Sequence, residues 1–157
     1  MVNGTVGVGY RRFTPLDTAR TPPFSGLVAS ATAGFTLYER HRIDFTVNRD
    51  LNYSYDREVP YYIATGGSLT WTWLIAGPID VRGSAARNNM RYHGQGDIGA
   101  TTADTYFSYS AGMGYRLRPR LRLGITGDWL HRDSQTSADR VFDNNRIYGT
   151  LTWGTQQ

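Results

Sequence analysis

Apolar and polar positions alternate along most of this chain, and the alternation is longest in the stretch 105–133. Between residues 105 and 117 the odd-numbered positions are mostly aromatic or aliphatic, and the even-numbered positions are mostly Ser or Gly. The same alternation returns between residues 121 and 129. Successive side chains of a strand point to opposite faces, so this pattern predicts two long strands, each with one apolar and one polar face.

The residues between these two strands predict a tight hairpin. Pro119 falls at the tip, where a missing backbone N–H removes no hydrogen bond from the ladder. A hairpin centred on Pro119 brings Tyr115 opposite Leu123 and Met113 opposite Ile125. The apolar faces of the two strands then coincide.

Alternation of the same kind divides the whole chain into eight strands joined by seven connections. The connections near residues 40, 77 and 119 are short, whereas those near residues 18, 57, 97 and 139 are longer. Short and long connections also alternate in up-and-down barrels of the outer-membrane type. The predicted strands cover about residues 2–11, 25–38, 42–55, 61–74, 79–90, 105–117, 121–133 and 145–154.

The chemistry of the two faces predicts which one meets lipid. The apolar faces hold aromatic residues near both ends of the strands, with small and aliphatic residues and almost no charge between them. A transmembrane barrel presents such a face to lipid, bounded by two aromatic girdles, and turns its polar face to the lumen. The sequence thus predicts an all-β, antiparallel, up-and-down transmembrane β-barrel of about eight strands. The predicted girdle residues are Phe35, Phe45, Trp71, Trp73, Tyr109, Tyr115, Trp129 and Trp153, with Tyr53 and Tyr61 also on the loop side.

Charged residues on the polar faces are the candidate functional residues. Rings of charged side chains set selectivity in pores, and mixed charges also bridge narrow lumens, so both roles stay open. Most other lumen positions are Gly, Ser, Thr or Ala, which leaves open a closed eight-strand barrel plugged by the charges or eight strands of a wider barrel. The predicted pore-lining residues are Asp44, Asp80, Arg82, Arg116, Arg122, Asp128 and Arg146, with Asp50 and Arg87 nearer the long loops.

Composition excludes several function classes. The chain has 157 residues, which suits one domain, and no run approaches the roughly 20 apolar residues of a spanning helix. It contains no cysteine, which excludes disulfides, thiolate metal sites and cysteine nucleophiles. The net charge is +4 and all 17 basic residues are Arg, but they are spread along the chain instead of clustered. We therefore expect no nucleic-acid partner.

Two other function classes fit parts of the sequence. A soluble eight-stranded ligand-binding barrel would bury the aromatic face and expose the polar one. An outer-membrane, lipid-modifying hydrolase would need a nucleophile, a base and an orienting group within hydrogen-bond reach. His131, Asp133 and Ser134 are close in sequence, but only His131 and Asp133 share a strand face. We expect no enzyme activity and assign no catalytic residue.

No metal or cofactor site is expected either. His41 lies in a predicted turn and His93 in a predicted loop, without the spacing of metal ligands. Asp139, Asp143 and Asn144 offer oxygen atoms of the kind that bind a cation, but a calcium loop of the EF-hand type is absent. The sequence leaves the oligomeric state open.

Several strand and turn phrases resemble those of a known group of proteins. They are GTVGVGYRRF at the start, YYIATGGSLTWTW in the middle, GYRLRPRLRLGITGDWLHRDS at the hairpin and IYGTLTWG near the end. The chain resembles bacterial outer-membrane β-barrel proteins of the porin-like type, which often accompany exopolysaccharide gene clusters.

This resemblance implies a Gram-negative outer membrane, with outer-membrane lipid around the barrel and both termini periplasmic. It also implies a passive or export-associated pore for polysaccharide or small solutes, or a structural membrane protein. Such proteins carry a signal peptide and are longer than this chain. We therefore expect residues 1–157 to be either a single barrel domain or the C-terminal segment of a larger barrel.

Overall fold

The fold consists of eight strands, each close to its predicted position. The computed structural model describes residues 1–16, 21, 23–54, 60–93, 103–135 and 140–154. No helix within these ranges is long and apolar enough to cross a membrane. The strands are β1 (Val2–Phe13), β2 (Phe24–Leu37), β3 (His41–Tyr53), β4 (Tyr61–Ala76), β5 (Ile79–His93), β6 (Ala103–Arg118), β7 (Leu121–Ser134) and β8 (Phe142–Trp153).

The eight strands form one antiparallel sheet in which each strand pairs with its neighbours in sequence. The all-β, antiparallel, up-and-down architecture predicted from the sequence is therefore confirmed. The sheet is not closed, because β1 pairs only with β2 and β8 only with β7 among the described residues. Both outer edges therefore present backbone N–H and C=O groups that no neighbouring strand of the sheet satisfies.

The hairpin between β6 and β7 has the predicted register. Tyr115 pairs with Leu123, and Met113 pairs with Ile125. In the turn between β4 and β5, Gly77 has a φ of 53°. Glycine adopts this left-handed conformation at little steric cost, so the residue suits the tight turn predicted there.

Strand register carries the two-residue alternation across the whole sheet. One row of laterally paired residues, the polar row, contains only polar residues and glycine, and the adjacent apolar row contains only apolar residues and glycine. Neighbouring residues of a strand point to opposite faces, so the two rows give the sheet one polar face and one apolar face. The polar row is Asn3, Gly34, Asp44, Thr70, Ser84, Ser110, Asp128 and Arg146, and the apolar row is Val2, Phe35, Ile43, Trp71, Gly83, Ala111, Gly127 and Ile147.

The apolar face is exposed instead of being packed in a core. Val6 is 76% exposed and Ile147 is 77% exposed. The buried hydrophobic residues of the described ranges are Leu51, Tyr61 and Ile63. A soluble sheet normally buries its apolar face against a second layer, and the described residues contain no such layer.

Tyr61 is the centre of a small aromatic cluster at the loop end of the sheet. Phe13 and Phe24 pack edge-on against its ring, with centroid distances of 5.8 and 6.2 Å. His93 stacks on the same ring at 5.4 Å, and Tyr61 is only 2% exposed. The prediction that Tyr61 is a lipid-facing girdle residue is therefore wrong, because aromatic side chains from β1, β2 and β5 cover it.

Candidate pore-lining face

All seven predicted pore-lining residues lie on the polar face of the sheet. Three of them belong to the polar row, and four lie on β5, β6 and β7 closer to the short turns. The first group is Asp44, Asp128 and Arg146, and the second is Asp80, Arg82, Arg116 and Arg122.

The four residues near the short turns line one concave space of about 660 Å³. Its other walls are mainly hydroxyl side chains, including Ser84, Ser110 and Thr126. The hydroxyl oxygens of Ser84 and Ser110 are 2.7 Å apart and share a hydrogen bond. A concave surface of charged and hydroxyl groups holds water readily, as the lumen of a porin does.

Arg122 on β7 makes a bidentate ion pair with Asp80 on β5, two strands away. Its Nε donates to Asp80 Oδ2 at 2.8 Å, and its Nη2 donates to Oδ1. The guanidinium lies over Gly114 of β6, where a Cβ atom would be 2.1 Å from Nη2 of Arg122. Asp80 is only 6% exposed, so these charge-assisted bonds replace the hydration that its carboxylate has lost.

Four further ion pairs lie on the polar face. Within β3, Arg42 Nε is 2.9 Å from Asp44 Oδ2, and between β7 and β8, Arg146 Nη2 is 2.6 Å from Asp128 Oδ2. The other two pairs lie toward the loops and join Arg11 to Asp50, at 2.7 Å, and Arg132 to Asp104. Every described carboxylate on this face therefore has an arginine partner.

Arg11, Arg42, Arg132 and Asp104 were not among the predicted pore-lining residues. The signal for Arg42 is its parity, because it shares a strand face with Asp44. Asp104 and Arg11 lie close to the ends of strands, where the alternation alone does not fix the boundary.

Arg82 and Arg116 have no carboxylate partner among the described residues. Both side chains are exposed and line the same space as the Asp80–Arg122 pair. The charges of that pair cancel, so the two unpaired guanidinium groups leave an excess of positive charge near the short turns. An excess of this sign attracts anions into a concave surface.

The eight predicted girdle residues all lie on the apolar face. At its short-turn end, His41 stacks on Trp71 and Trp73, with ring centroids 6.0 and 5.6 Å apart. The eight residues of each strand that lie nearest the short-turn end of the sheet carry almost no charge on this face. The one Asp, Glu, Lys or Arg residue there is Arg118, at the bulged tip of β6. Eight residues extend about 26 Å along a strand, similar to the apolar band of about 25 Å on transmembrane barrels.

Comparison with family models, curated protein sequences and solved structures gives no match to this chain. The two faces of the sheet are therefore the observations from which a function is proposed. The resemblance to porin-like barrels stays an expectation.

Arg87 lies on the apolar face and not on the pore side. It pairs laterally with Gly67 and Phe107, and its guanidinium carbon lies 5.2 Å from the centre of the Phe107 ring. The prediction that Arg87 lines the lumen is wrong, because residue 87 shares the parity of the outward Ala85.

The residues considered for a hydrolase do not come together. His131 Nδ1 lies 2.7 Å from Oδ1 of Asp143 on β8, instead of contacting Asp133. Ser134 has the opposite parity to His131 on β7, so its side chain lies on the other face of the sheet. Asp139, one of the candidate cation ligands, lies outside the described residues. Within those residues no three His, Cys, Asp or Glu groups are arranged to hold a metal ion.

Proposed function

We propose that this chain forms the wall of a porin-like β-barrel in a bacterial outer membrane, with its polar face lining a water-filled path for small anionic solutes. The observation that carries this proposal is the opposition of the polar row and the apolar row. Lipid contact requires an uncharged outer face, and a pore requires a polar inner face.

The exposed apolar face is the first support. Soluble monomers rarely expose contiguous apolar patches larger than a few hundred Å². Here apolar or glycine residues follow one another across all eight strands of the apolar row. A charge at the midplane of a lipid-facing surface costs about 2–4 kcal/mol, and this face avoids that cost along the length of an apolar band.

The two unpaired arginines support the anion preference. Arg82 and Arg116 line the concave space together with the neutralised pair Asp80–Arg122. Fixed positive charge at a narrow part of a pore favours anions over cations. The link to exopolysaccharide gene clusters that the resemblance implies fits here, since an acidic polysaccharide is one anionic solute that such a face would pass.

The open edges bear on the width of the barrel. Backbone groups at a sheet edge have no partner in hydrocarbon, so both edges must pair with strands once the sheet is in a membrane. The interior of an eight-strand barrel is just wide enough to be filled by side chains. The polar face is rich in Gly, Ser and Thr and leaves a space of about 660 Å³. This favours a wider barrel, of which these are eight consecutive strands, over a closed eight-strand barrel filled by side chains.

The test combines extraction with conductance. The protein is extracted with detergent, compared on a gel with and without heating, and then added to a planar bilayer under a potassium chloride gradient. We expect a heat-modifiable band and a conductance whose reversal potential indicates chloride preference. A monodisperse, β-rich protein that stays in solution without detergent would contradict the membrane proposal and favour the soluble ligand-binding barrel.

A further inference from the structure

Charge on the apolar face begins where its uncharged band ends. Arg49 on β3 and Arg87 and Arg91 on β5 lie on this face, toward the long loops, and all three are exposed. None of them has a carboxylate partner among the described residues. These three arginines are called the outer arginine cluster below.

Two members of the outer arginine cluster flank one residue of β4. Thr65 pairs laterally with Arg49 on one side and with Asn89 on the other. Arg87 and Arg91 are the neighbours of Asn89 on the same face, two residues before and after it. Strands two apart in a sheet are separated by about 10 Å, so Arg49 and Arg91 lie on either side of the Thr65 position, whereas the Arg87 guanidinium lies toward Phe107 of β6.

Two side-chain contacts join this part of β5 to β6. The Arg87 guanidinium lies over the Phe107 ring at 5.2 Å, and Asn89 Nδ2 donates to Thr105 Oγ1 at 3.2 Å. The cluster is also local, because the charged residues on the same face of β7 and β8 toward the loops are His131, Asp133 and Asp143. Among the described residues, the exposed arginines of this face that lie toward the loops and have no carboxylate partner are thus the three of the cluster and Arg12 near the end of β1.

We infer that the outer arginine cluster binds the phosphate group of an anionic lipid headgroup in the leaflet on the long-loop side. Guanidinium groups bind phosphate oxygens in bidentate fashion, and a hydroxyl group adds a further hydrogen bond. Headgroup phosphates lie at the boundary between the apolar band and water, which is where these arginines end the uncharged band. The inference rests on the proposed membrane function, but it concerns the face opposite to the pore.

The test measures lipid retention. Protein folded in a neutral detergent is titrated with phosphatidylglycerol or phosphatidylcholine, and bound lipids are counted by native mass spectrometry. The variant is Arg49→Gln/Arg87→Gln/Arg91→Gln. The matched control is Arg40→Gln/Arg118→Gln/Arg120→Gln, which removes the same charge at the short turns.

We expect the parent protein and the control to retain phosphatidylglycerol in preference to phosphatidylcholine. The variant should lose about tenfold or more of this preference, given the usual contribution of an arginine at an anionic surface. An equal loss in variant and control would show general charge attraction, and no loss in either would remove the site; both results overturn the inference. Displacement of the lipid by inorganic phosphate at matched ionic strength would overturn the assignment to lipid.

Folding is checked separately with the heat-modifiable band of each protein. If the triple variant does not fold, Arg91→Gln alone should reduce the preference about threefold, and an unchanged preference in that variant overturns the inference. A parent protein that needs no detergent contradicts the proposed membrane function and the lipid site together. A detergent-dependent, folded parent without lipid preference contradicts the lipid site alone.

Discussion

The guanidinium of Arg122 lies across the backbone of β6 and binds the carboxylate of Asp80 in bidentate fashion. The two residues are 42 positions apart in sequence and lie on strands that do not pair with each other. Gly114 provides the space for this crossing. The pair therefore connects three strands of the polar face and neutralises its most buried charge near the short turns.

Replacing Arg122 should destabilise the fold more than replacing Arg146, whose ion pair is more exposed. Arg122→Gln leaves the Asp80 carboxylate, which is 6% exposed, without its ionic partner. A loss of about 3 kcal/mol in the free energy of unfolding is expected for such a broken pair. Arg146→Gln is the control, because the Arg146 side chain is 68% exposed and such pairs contribute about 1 kcal/mol or less. Urea unfolding in detergent, followed by tryptophan fluorescence, measures both, and equal losses would contradict the role of burial.

A side chain at residue 114 should disturb the same ion pair. In Gly114→Ala the new Cβ atom would lie 2.1 Å from Arg122 Nη2, so the guanidinium must move away from Asp80. We expect a destabilisation of about 1–3 kcal/mol, the usual cost of leaving a buried polar group unsatisfied. Gly83→Ala is the matched control, since the nearest atom to its Cβ is 3.9 Å away. Equal stability of the two variants would show that Arg122 finds another route to Asp80.

Adjacent residues on β6 should respond oppositely to a new charge. Ala111 lies in the apolar row and Ser110 in the polar row. In vesicles, Ala111→Arg should lower the free energy of unfolding by about 2–4 kcal/mol, because it places a charge in lipid. Ser110→Arg should change it much less, because its side chain reaches water. The reverse order would contradict the assignment of the apolar row to lipid and of the polar row to water.

The two unpaired arginines should set the ion preference of the pore. The variant Arg82→Gln/Arg116→Gln removes the excess positive charge of the concave space, so the reversal potential under a potassium chloride gradient should move toward zero. Arg118→Gln/Arg120→Gln loses the same net charge at the hairpin tip and should keep the chloride preference. If both variants shift equally, net charge and not these two positions sets selectivity.

Cross-linking should show whether β1 and β8 meet. The chain has no cysteine, so a thiol cross-linker reacts only with the introduced cysteines. Val6→Cys/Ala31→Cys, a laterally paired position of β1 and β2, is the positive control for a short thiol cross-linker. We expect Val6→Cys/Ile147→Cys to give no intramolecular product in folded protein, as in a barrel wider than eight strands. An efficient intramolecular cross-link would establish closure as an eight-strand barrel.

The sequence by itself determined the strands, their two faces and one hairpin register. A strand's alternation is a local property with a period of two, so eight strands are readable from single residues and their neighbours. The Tyr115–Leu123 pairing followed from the same rule, because a short turn fixes which residues face each other. The misplacement of Arg87 was an error of parity and not a limit of the sequence.

The tertiary structure alone decided which distant residues meet. The Asp80–Arg122 pair, the burial of Tyr61 and the placement of Arg49 and Arg91 on either side of Thr65 depend on register between strands separated by loops or by another strand. That register is set by the sum of many lateral contacts, which no local pattern contains. The open edges have the same origin, because pairing between the first and last strands depends on the curvature that the whole sheet accumulates.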